Sequence, residues 1–409
     1  REARDAFNDT PLPRRGLHLW RYTDPATFLV PPDYTDTAFT ENADRVERSL
    51  HDQVSLGHLA AAVIDFGGRD IKTERSAALD EQGVVIIPLS EAVETHHDLV
   101  SAYLYRLINS NTGKFEAMNG ALWNDGIFIH VPDNQTVEYP IHLLREAGGA
   151  GSVQYPRLLV IVGRNAELTL IDEYGGGSDN EDAAPAYANS AVEIFGQADS
   201  RVTYVSLQRH AVATNAYLTH RAHIERNAVM QTIPLAFGGA TSKQNFGVIL
   251  DGPGADSRMY GLLFGSGYQH FDNHTLHHHA AGQTTSNIDF KVVLRDRAIS
   301  AYTGLIRIDT DAKNCEAFQE NRNLLLTPGT KAETIPELEI LNEDVSCSHG
   351  ATVGPLDPEL VFYLMCRGIP QHEAVRMLVS GFVADTLRMS PDNLRDRLTD
   401  FVTTRLEGI

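Results

Sequence analysis

The segment VIVGRNAELTLIDE (Val160–Glu173) holds an apolar run, a Gly–polar turn, a small residue at Ala166, and then apolar positions alternating with polar ones. Five later segments share that grammar: EIFGQADSRVTYVSL (Glu193–Leu207), HIERNAVMQTIPLAF (His223–Phe237), ILDGPGADSRMYGLLF (Ile249–Phe264), VVLRDRAISAYTGLIRI (Val292–Ile308) and LLTPGTKAETIPELEI (Leu325–Ile340). Their small residues fall at Ala166, Ala198, Ala228, Ala255, Ala298 and Ala332. The spacing averages about 30 residues, inside the range of stacked repeats. A unit this short cannot bury its own apolar face, but neighbours stacked along an axis can bury it together. The pattern therefore predicts a mainly β solenoid, with small residues where the chain turns a tight corner. A β-sandwich or barrel of short strands is the alternative.

Working outward, residues 120–354 read as strand after strand without helical periodicity, and form the expected core. Residues 1–119 mix short helices with loops. Pro11, Pro13 and Pro25 bracket Trp20 and Tyr22, and SEAVETHHDLVSAYLYRLI (Ser90–Ile108) has helical spacing through Val93, Leu99, Tyr103 and Leu107 behind an expected N-cap at Ser90. His96 and His97 on that helix are expected on a solvated face. Residues 355–409 predict helices. Asp357 with Pro358 reads as N-cap and first helical residue, Gly368 ends that helix, Pro370 opens the next, and Ser390–Pro391 opens a third. Leu360, Tyr363, Leu364, Val375, Leu378 and Phe382 form apolar stripes. A solenoid cap needs little covering, so part of this surface is expected to receive a partner helix or groove.

The formal net charge is -20, from 34 basic and 54 acidic residues. No compensating basic run occurs, which argues against nucleic acid or an anionic membrane as partner. The three cysteines show no CxxC pairing and point to a reducing, cytoplasmic setting. No apolar run of about 18 residues and no signal peptide is present, so no membrane span is expected. The sequence begins at Arg1 and not Met, so a start upstream is expected. There is no Walker A motif.

Two clusters carry possible chemistry. NEDVSCSHGATVG (Asn342–Gly354) sets a thiol, Cys347, two residues from an imidazole, His349; in an extended strand they share a face. The pair is a metal site, a catalytic pair, or a buried cysteine beside a structural histidine. Cys315 and Cys366 are expected to be packing residues. His270, His274 and His277–His279 place five imidazoles in ten residues, and alternation puts His277 and His279 on one face and His278 on the other. Surface or rung-stacked histidines are the favoured reading. A His-carboxylate oxygenase site with Asp272 is one rival. The other is a β-helix carbohydrate-active enzyme using Asp251, Asp256 and Asp272, although these show no repeated spacing that would line one groove.

Several motifs carry a resemblance that runs nearly end to end. GLHLWRYTD (Gly16–Asp24), LWNDGIFIHVPDNQTVEYPIHLL (Leu122–Leu144), HFDNHTLHHHAAGQTTSN (His270–Asn287), NRNLLL (Asn321–Leu326) and CSHGATVGPLDPELVFYLMCRGI (Cys347–Ile369) resemble the SufB/SufD family of iron–sulfur cluster assembly scaffolds. The resemblance implies a right-handed parallel β-helix and a non-catalytic scaffold. It also implies pairing with a SufB-like paralogue through the β-helix, and docking of a SufC-like ABC ATPase by C-terminal helices. Asn321 stands where the SufB branch has a functional Cys, and Gly350 where it has a Glu; the SHGAT stretch resembles the SufD branch. HHHAAGQTTSN and YTGLIRI look partly SufB-like. By resemblance, His349 faces the partner's cysteine and is a shared metal ligand, with Cys347 assisting. Leu360, Tyr363, Leu364, Val375, Leu378 and Phe382 would dock the ATPase. The cargo implied is a transient iron–sulfur cluster at the interface, with reduced flavin in the full complex and nothing tightly bound to the isolated chain, which could form a homodimer.

Overall fold

The computed structural model describes residues 2–31, 34, 51–55, 57–66, 71–123, 125–180 and 182–407. In it the repeated grammar becomes the coils of a parallel β-helix with two long sheets. One sheet runs, in spatial order, β2 (Ile71–Arg75), β1 (Ala61–Asp65), β5 (Ile141–Ala147), β8 (Glu167–Gly176), β10 (Arg201–Gln208), β12 (Val229–Ala236), β14 (Asp256–Gly265), β16 (Thr285–Leu294), β18 (Cys315–Leu325), β20 (Val345–Pro355). The other runs β19 (Lys331–Ile340), β17 (Ile299–Ile308), β15 (His270–His279), β13 (Thr241–Leu250), β11 (Thr214–Ile224), β9 (Ala186–Gly196), β7 (Arg157–Val162), β4 (Gly126–Val131), β3 (Val85–Pro88), with the short β6 (Val153–Gln154) beside β9. Each coil sends one strand to each sheet, so sequence neighbours face one another across the interior and ladder partners lie one coil apart.

The corner explains why the grammar repeats. Amides of Ala166, Ser200, Ala228 and Ala255 donate back to the carbonyls of Gly163, Gln197, Glu225 and Gly252 at 3.1–3.3 Å. The residue before each small one takes positive φ: Asn165 (53°), Asp199 (64°), Asn227 (56°) and Gly254 (79°). Asn, Asp and Gly are the residues that visit this region at low cost. The Asn165 amide also donates to Asn134 Oδ1, and that of Asn227 to Asp199 Oδ1, so adjacent coils are tied at the corner. The following side chain points into the interior and must be small. In the second unit that residue is Ser200, fully buried, and not Ala198 as expected, because the left-handed position falls at Asp199. Asn227→Val should cost about 1–2 kcal/mol, since a β-branched side chain is strained at positive φ. Asn227→Gly should stay within about 0.5 kcal/mol by urea unfolding.

The interior is a continuous apolar column including Leu170, Val202, Met230, Met259, Ile288 and Tyr302. The ends differ. At the start, β1 pairs antiparallel with β2 and β3 pairs antiparallel with β4, closing the column. These strands come from residues 61–88, so the region before residue 120 supplies part of the sheets as well as helices. The expected helix over Ser90–Ile108 is two helices, α3 (Leu89–Thr95) and α4 (His97–Tyr103), after α1 (Glu2–Asp9) and α2 (Ala77–Glu81). Ser90 is not their N-cap. Asp125 accepts from both its amide and its hydroxyl, at 2.9 and 2.6 Å, and the helix starts one residue earlier behind Pro88.

Helix α5 (Lys114–Leu122) lies on the side of the column, beside a buried Arg157–Glu193 pair at 2.6 Å. Glu193 also accepts from the amides of Tyr105, Leu107 and Ile108, which pins that loop to the strands. At the C-terminus, α7 (Gln371–Met389) and α8 (Asp392–Arg405) bury Val379, Val383, Leu394, Leu398 and Val402 against outward-facing Leu207, Leu235, Phe264 and Val293. Arg397 reaches the buried carboxylate of Glu173 as well. These two helices cover the flank of the solenoid; each fully buried aliphatic side chain there is worth roughly 1.5–3 kcal/mol.

Candidate functional site

β19 and β20 are the terminal strands of their sheets, and among the described residues no further coil stacks on them. On β18 the residues Cys315, Ala317, Gln319, Asn321 and Asn323 are buried and alternate with more exposed ones, so they face the interior. Their ladder partners on β20 are Val345, Cys347, His349, Ala351 and Val353. Cys347 and His349 therefore share the interior-facing side, as strand alternation predicts. His349, Ala351 and Val353 are exposed because none of the described residues stacks above them. On β19, Leu338 lies in register with the fully buried Ile306 yet is 38% exposed. The end of the column is thus an apolar cross-section with a thiol and an imidazole in it.

The two site residues differ in environment. His349 is exposed and has no hydrogen-bond partner among the described residues, so its imidazole is available as a ligand or proton acceptor. Cys347 packs beside Ile306, Ile308, Cys315 and Ala317. Burial, reinforced by the neighbouring Cys315 and partly offset by the Ala317 backbone, pushes its thiol above the ordinary range. Cys347 is thus mostly protonated near neutral pH, and a bound metal would have to displace that proton. Among the described residues no strand pairs with the outer edge of β20. This 11-residue edge carries no Lys, Arg, Asp or Glu, the residues that normally block strand addition.

Next to this end stands α6 (Pro358–Met365), capped by the Asp357 side chain accepting from the Glu359 amide at 2.8 Å, with Pro358 as first residue. Gly368, at φ 85°, turns the chain toward α7. None of the α6 side chains is buried. Leu360, Phe362, Tyr363 and Met365 are exposed, Leu364 half-buried, and Met377 on α7 is exposed too. Among the other expected docking residues, Val375 and Phe382 pack on the solenoid flank and Leu378 is half-buried. Cys366 was expected to pack but is exposed, at the C-terminal end of α6. Cys315 is buried as expected, its Sγ 3.2 Å from Thr284 Oγ1.

The histidine-rich strand is distributed over both faces. His277 and His279 lie inside the column, bonded to Ser257 at 3.0 Å and to Thr284 and Ser286 at 2.7 and 2.8 Å. His278 faces out and pairs with Asp309; His274 faces out and pairs with Asp272. Among the described residues no group of three or more His, Cys, Asp or Glu could hold a metal ion. The carboxylates considered for a glycosidase are each engaged by a base: Asp251 by His223, Asp256 by Arg258, Asp272 by Lys243.

The chain is similar to known proteins over nearly its whole length. A family model described as SufBD protein N-terminal region matches residues 1–143, and one described as SUF system FeS cluster assembly, SufBD core domain, matches residues 144–382. The chain belongs to the SufBD family. Relatives named iron-sulfur cluster assembly SufBD family protein, from Staphylococcus epidermidis, Staphylococcus haemolyticus and Staphylococcus saprophyticus, are each 24% identical over 413 residues. The alignments cover 98% of this chain and 87% of theirs. As a SufBD protein, the chain takes part in iron–sulfur cluster assembly. No helix among its described residues is long and apolar enough to cross a membrane.

Sequence reading missed Leu338, Val353, Phe362 and Met365 as exposed apolar residues. A strand pattern shows which face a residue takes, but the lack of a cover over the last coil, among the described residues, depends on where the stacking stops. The same holds for α6: helical spacing gave stripes on it and on the helix after it, and only packing shows that the second is used internally.

Proposed function

We propose that this chain is the SufD-type, non-catalytic scaffold subunit of a SufBCD-type complex. The observation that carries the reading is the uncovered last coil, where Cys347 and His349 lie on an apolar end flanked by an unpaired strand edge. A SufB-like paralogue would stack its own β-helix end here, and the shared cross-section would hold a transient cluster as cargo. Cluster iron needs soft thiolate with an exchangeable donor, and ligands divided between two chains can separate to release the product. His349 supplies the exchangeable donor, with Cys347 in support. The SufD assignment rests on Asn321 and Gly350 standing where the SufB branch carries its Cys and Glu. A cytoplasmic setting follows from the same reading. Reduced flavin enters only as a property of the full complex, and no step assigned to this chain runs through it. In isolation the open end would let the chain form a homodimer. The test is co-purification: tagged chain should bring down a SufB-like protein and an ABC ATPase, and recovery of neither sinks the proposal.

The ATPase would dock on α6, whose Leu360, Phe362, Tyr363 and Met365 are exposed. Because α7 and α8 complete the flank of the solenoid, deleting the whole tail would expose its apolar outer face, so point variants are the better probe. Leu360→Asp with Phe362→Asp should weaken ATPase binding by at least roughly 30-fold, as expected for truncating anchor residues worth about 2 kcal/mol or more. Thermal stability should be nearly unchanged. Wild-type affinity in the double variant would remove α6 from the docking surface.

A further inference from the structure

The segment carrying Trp20 and the first turn of α5 lie over the outward face of β11, β13 and β15. They enclose a cavity of about 390 Å³. Arg221 lines it. Its Nη1 donates to the backbone carbonyls of His220 and Asn245, at 2.8 and 3.1 Å, and among the described residues no carboxylate forms an ion pair with its guanidinium. That is unusual, since buried or half-buried charges are ordinarily paired.

The nearby ionised groups are already engaged. Glu116 Oε1 accepts from the Tyr217 hydroxyl at 2.8 Å and from Thr219 at 2.7 Å. Lys243 contacts the Leu19 carbonyl, Asp272 and His274, at 2.7, 2.8 and 2.8 Å. Burial holds the Arg221 guanidinium below its ordinary range, and Glu116 only partly offsets this.

Two more side chains lining the cavity, Asn245 and His274, each 8% exposed, have buried polar atoms without partners. The Tyr217 proton goes to Glu116, so the Asn245 amide must donate to the Tyr217 oxygen, at 3.1 Å, which fixes its orientation. Its Oδ1 then has no donor, and His274 Nδ1 has no partner either. Trp20, stacked parallel on Tyr217 with centroids 5.9 Å apart, and Leu276 and Leu305 give the cavity apolar walls.

We propose that this cavity binds a small organic carboxylate with a flat apolar body and a hydrogen-bond donor at its far side. The carboxylate sits on the Arg221 fork, the body lies against Trp20 and Leu305, and the donor reaches Asn245 Oδ1. A planar guanidinium matches a carboxylate with two parallel hydrogen bonds, and the volume suits a ring-sized molecule. Among the lining residues only Glu337, on β19, belongs to the last coil, and its carboxylate pairs with His18 at 3.3 Å, so the proposal is independent of the assembly role.

The probes are sodium 4-hydroxybenzoate, sodium benzoate and inorganic phosphate, added to the full chain and followed by calorimetric titration and thermal unfolding. Saturating 4-hydroxybenzoate should raise the Tm by roughly 2–5 °C. Benzoate should bind more weakly, and phosphate should not respond. Arg221→Gln should weaken 4-hydroxybenzoate binding at least about ten-fold, as should Arg221→Lys, which keeps the charge and loses the fork; the Lys variant decides the matter if the Gln variant does not fold. Asn245→Leu should erase the preference for the hydroxylated probe. Absence of binding to the wild-type chain, equal binding by either Arg221 variant, or an equal response to phosphate would each overturn the proposal.

Discussion

Below pH 6.5 the unfolding free energy should fall steeply, reaching a slope of roughly 5 kcal/mol per pH unit near pH 5. The cause is four buried histidines. Burial lowers His210 and His279 to about 4, and His220 and His277 to about 3. All four are at most 4% exposed. In the unfolded chain each takes a proton near its ordinary value of 6.5, whereas the folded chain refuses it until pH 3–4. The folded state therefore binds fewer protons. The stability these groups contribute is complete above pH 6.5 and drains away as pH falls toward their folded values. His130, His270 and His274, also lowered chiefly by burial, act in the same direction. Glu146 and Asp289, raised by burial, act in the opposite direction but are fewer. With a total stability of about 5–15 kcal/mol, unfolding is expected between about pH 4 and 5.5. Urea unfolding at pH 7, 6 and 5 measures the slope. His277→Gln should flatten it by about a quarter, one group of four. A stability unchanged from pH 7 to pH 5 would show that these imidazoles are not held neutral.

The same histidines show what could be read from the residues and what could not. Alternation alone placed His277 and His279 on one face and His278 on the other, and the small corner residues marked where coils turn. Both are properties of a chain with a two-residue side-chain period and a repeated turn. Alternation does not say which face is the inside when both faces carry histidine; that depends on Ser257, Thr284 and Ser286 meeting the rings from other strands. The Arg157–Glu193 and Arg397–Glu173 pairs were likewise illegible, since each joins residues far apart in sequence. Nor does local pattern distinguish Ala198 from Ser200, because the decisive left-handed residue differs by a single position from the most conspicuous small one. At the candidate site the common face of Cys347 and His349 was legible, and the exposure of one with the packing of the other was not.

That difference sets the outcome expected for the pair. His349→Ala should change the stability of the isolated chain by no more than about 0.5 kcal/mol, because the imidazole is exposed and leaves no partner behind. Cys347→Ala removes a half-buried sulfur from beside Ile306, Ile308 and Ala317, so a loss of about 0.5–1.5 kcal/mol is expected, without unfolding. Association with the proposed SufB-like partner should survive both changes, since one small side chain would be a minor part of the proposed stacked β-helix interface. Cluster content should not survive both. After reconstitution of the complex with iron and sulfide, His349→Ala should hold at least about ten-fold less cluster, the loss expected when a ligand is removed. Cys347→Ala should be milder, because burial favours the protonated thiol, which in the proposed site would act as a second donor only once metal has arrived. His349→Cys supplies the control, restoring a soft ligand at the same exposed position and with it part of the lost content. A His349→Ala complex that assembles and builds clusters like the wild type would remove His349 from the site. A chain that merely unfolds would instead make this histidine a structural residue, against its exposure at an end that none of the described residues covers.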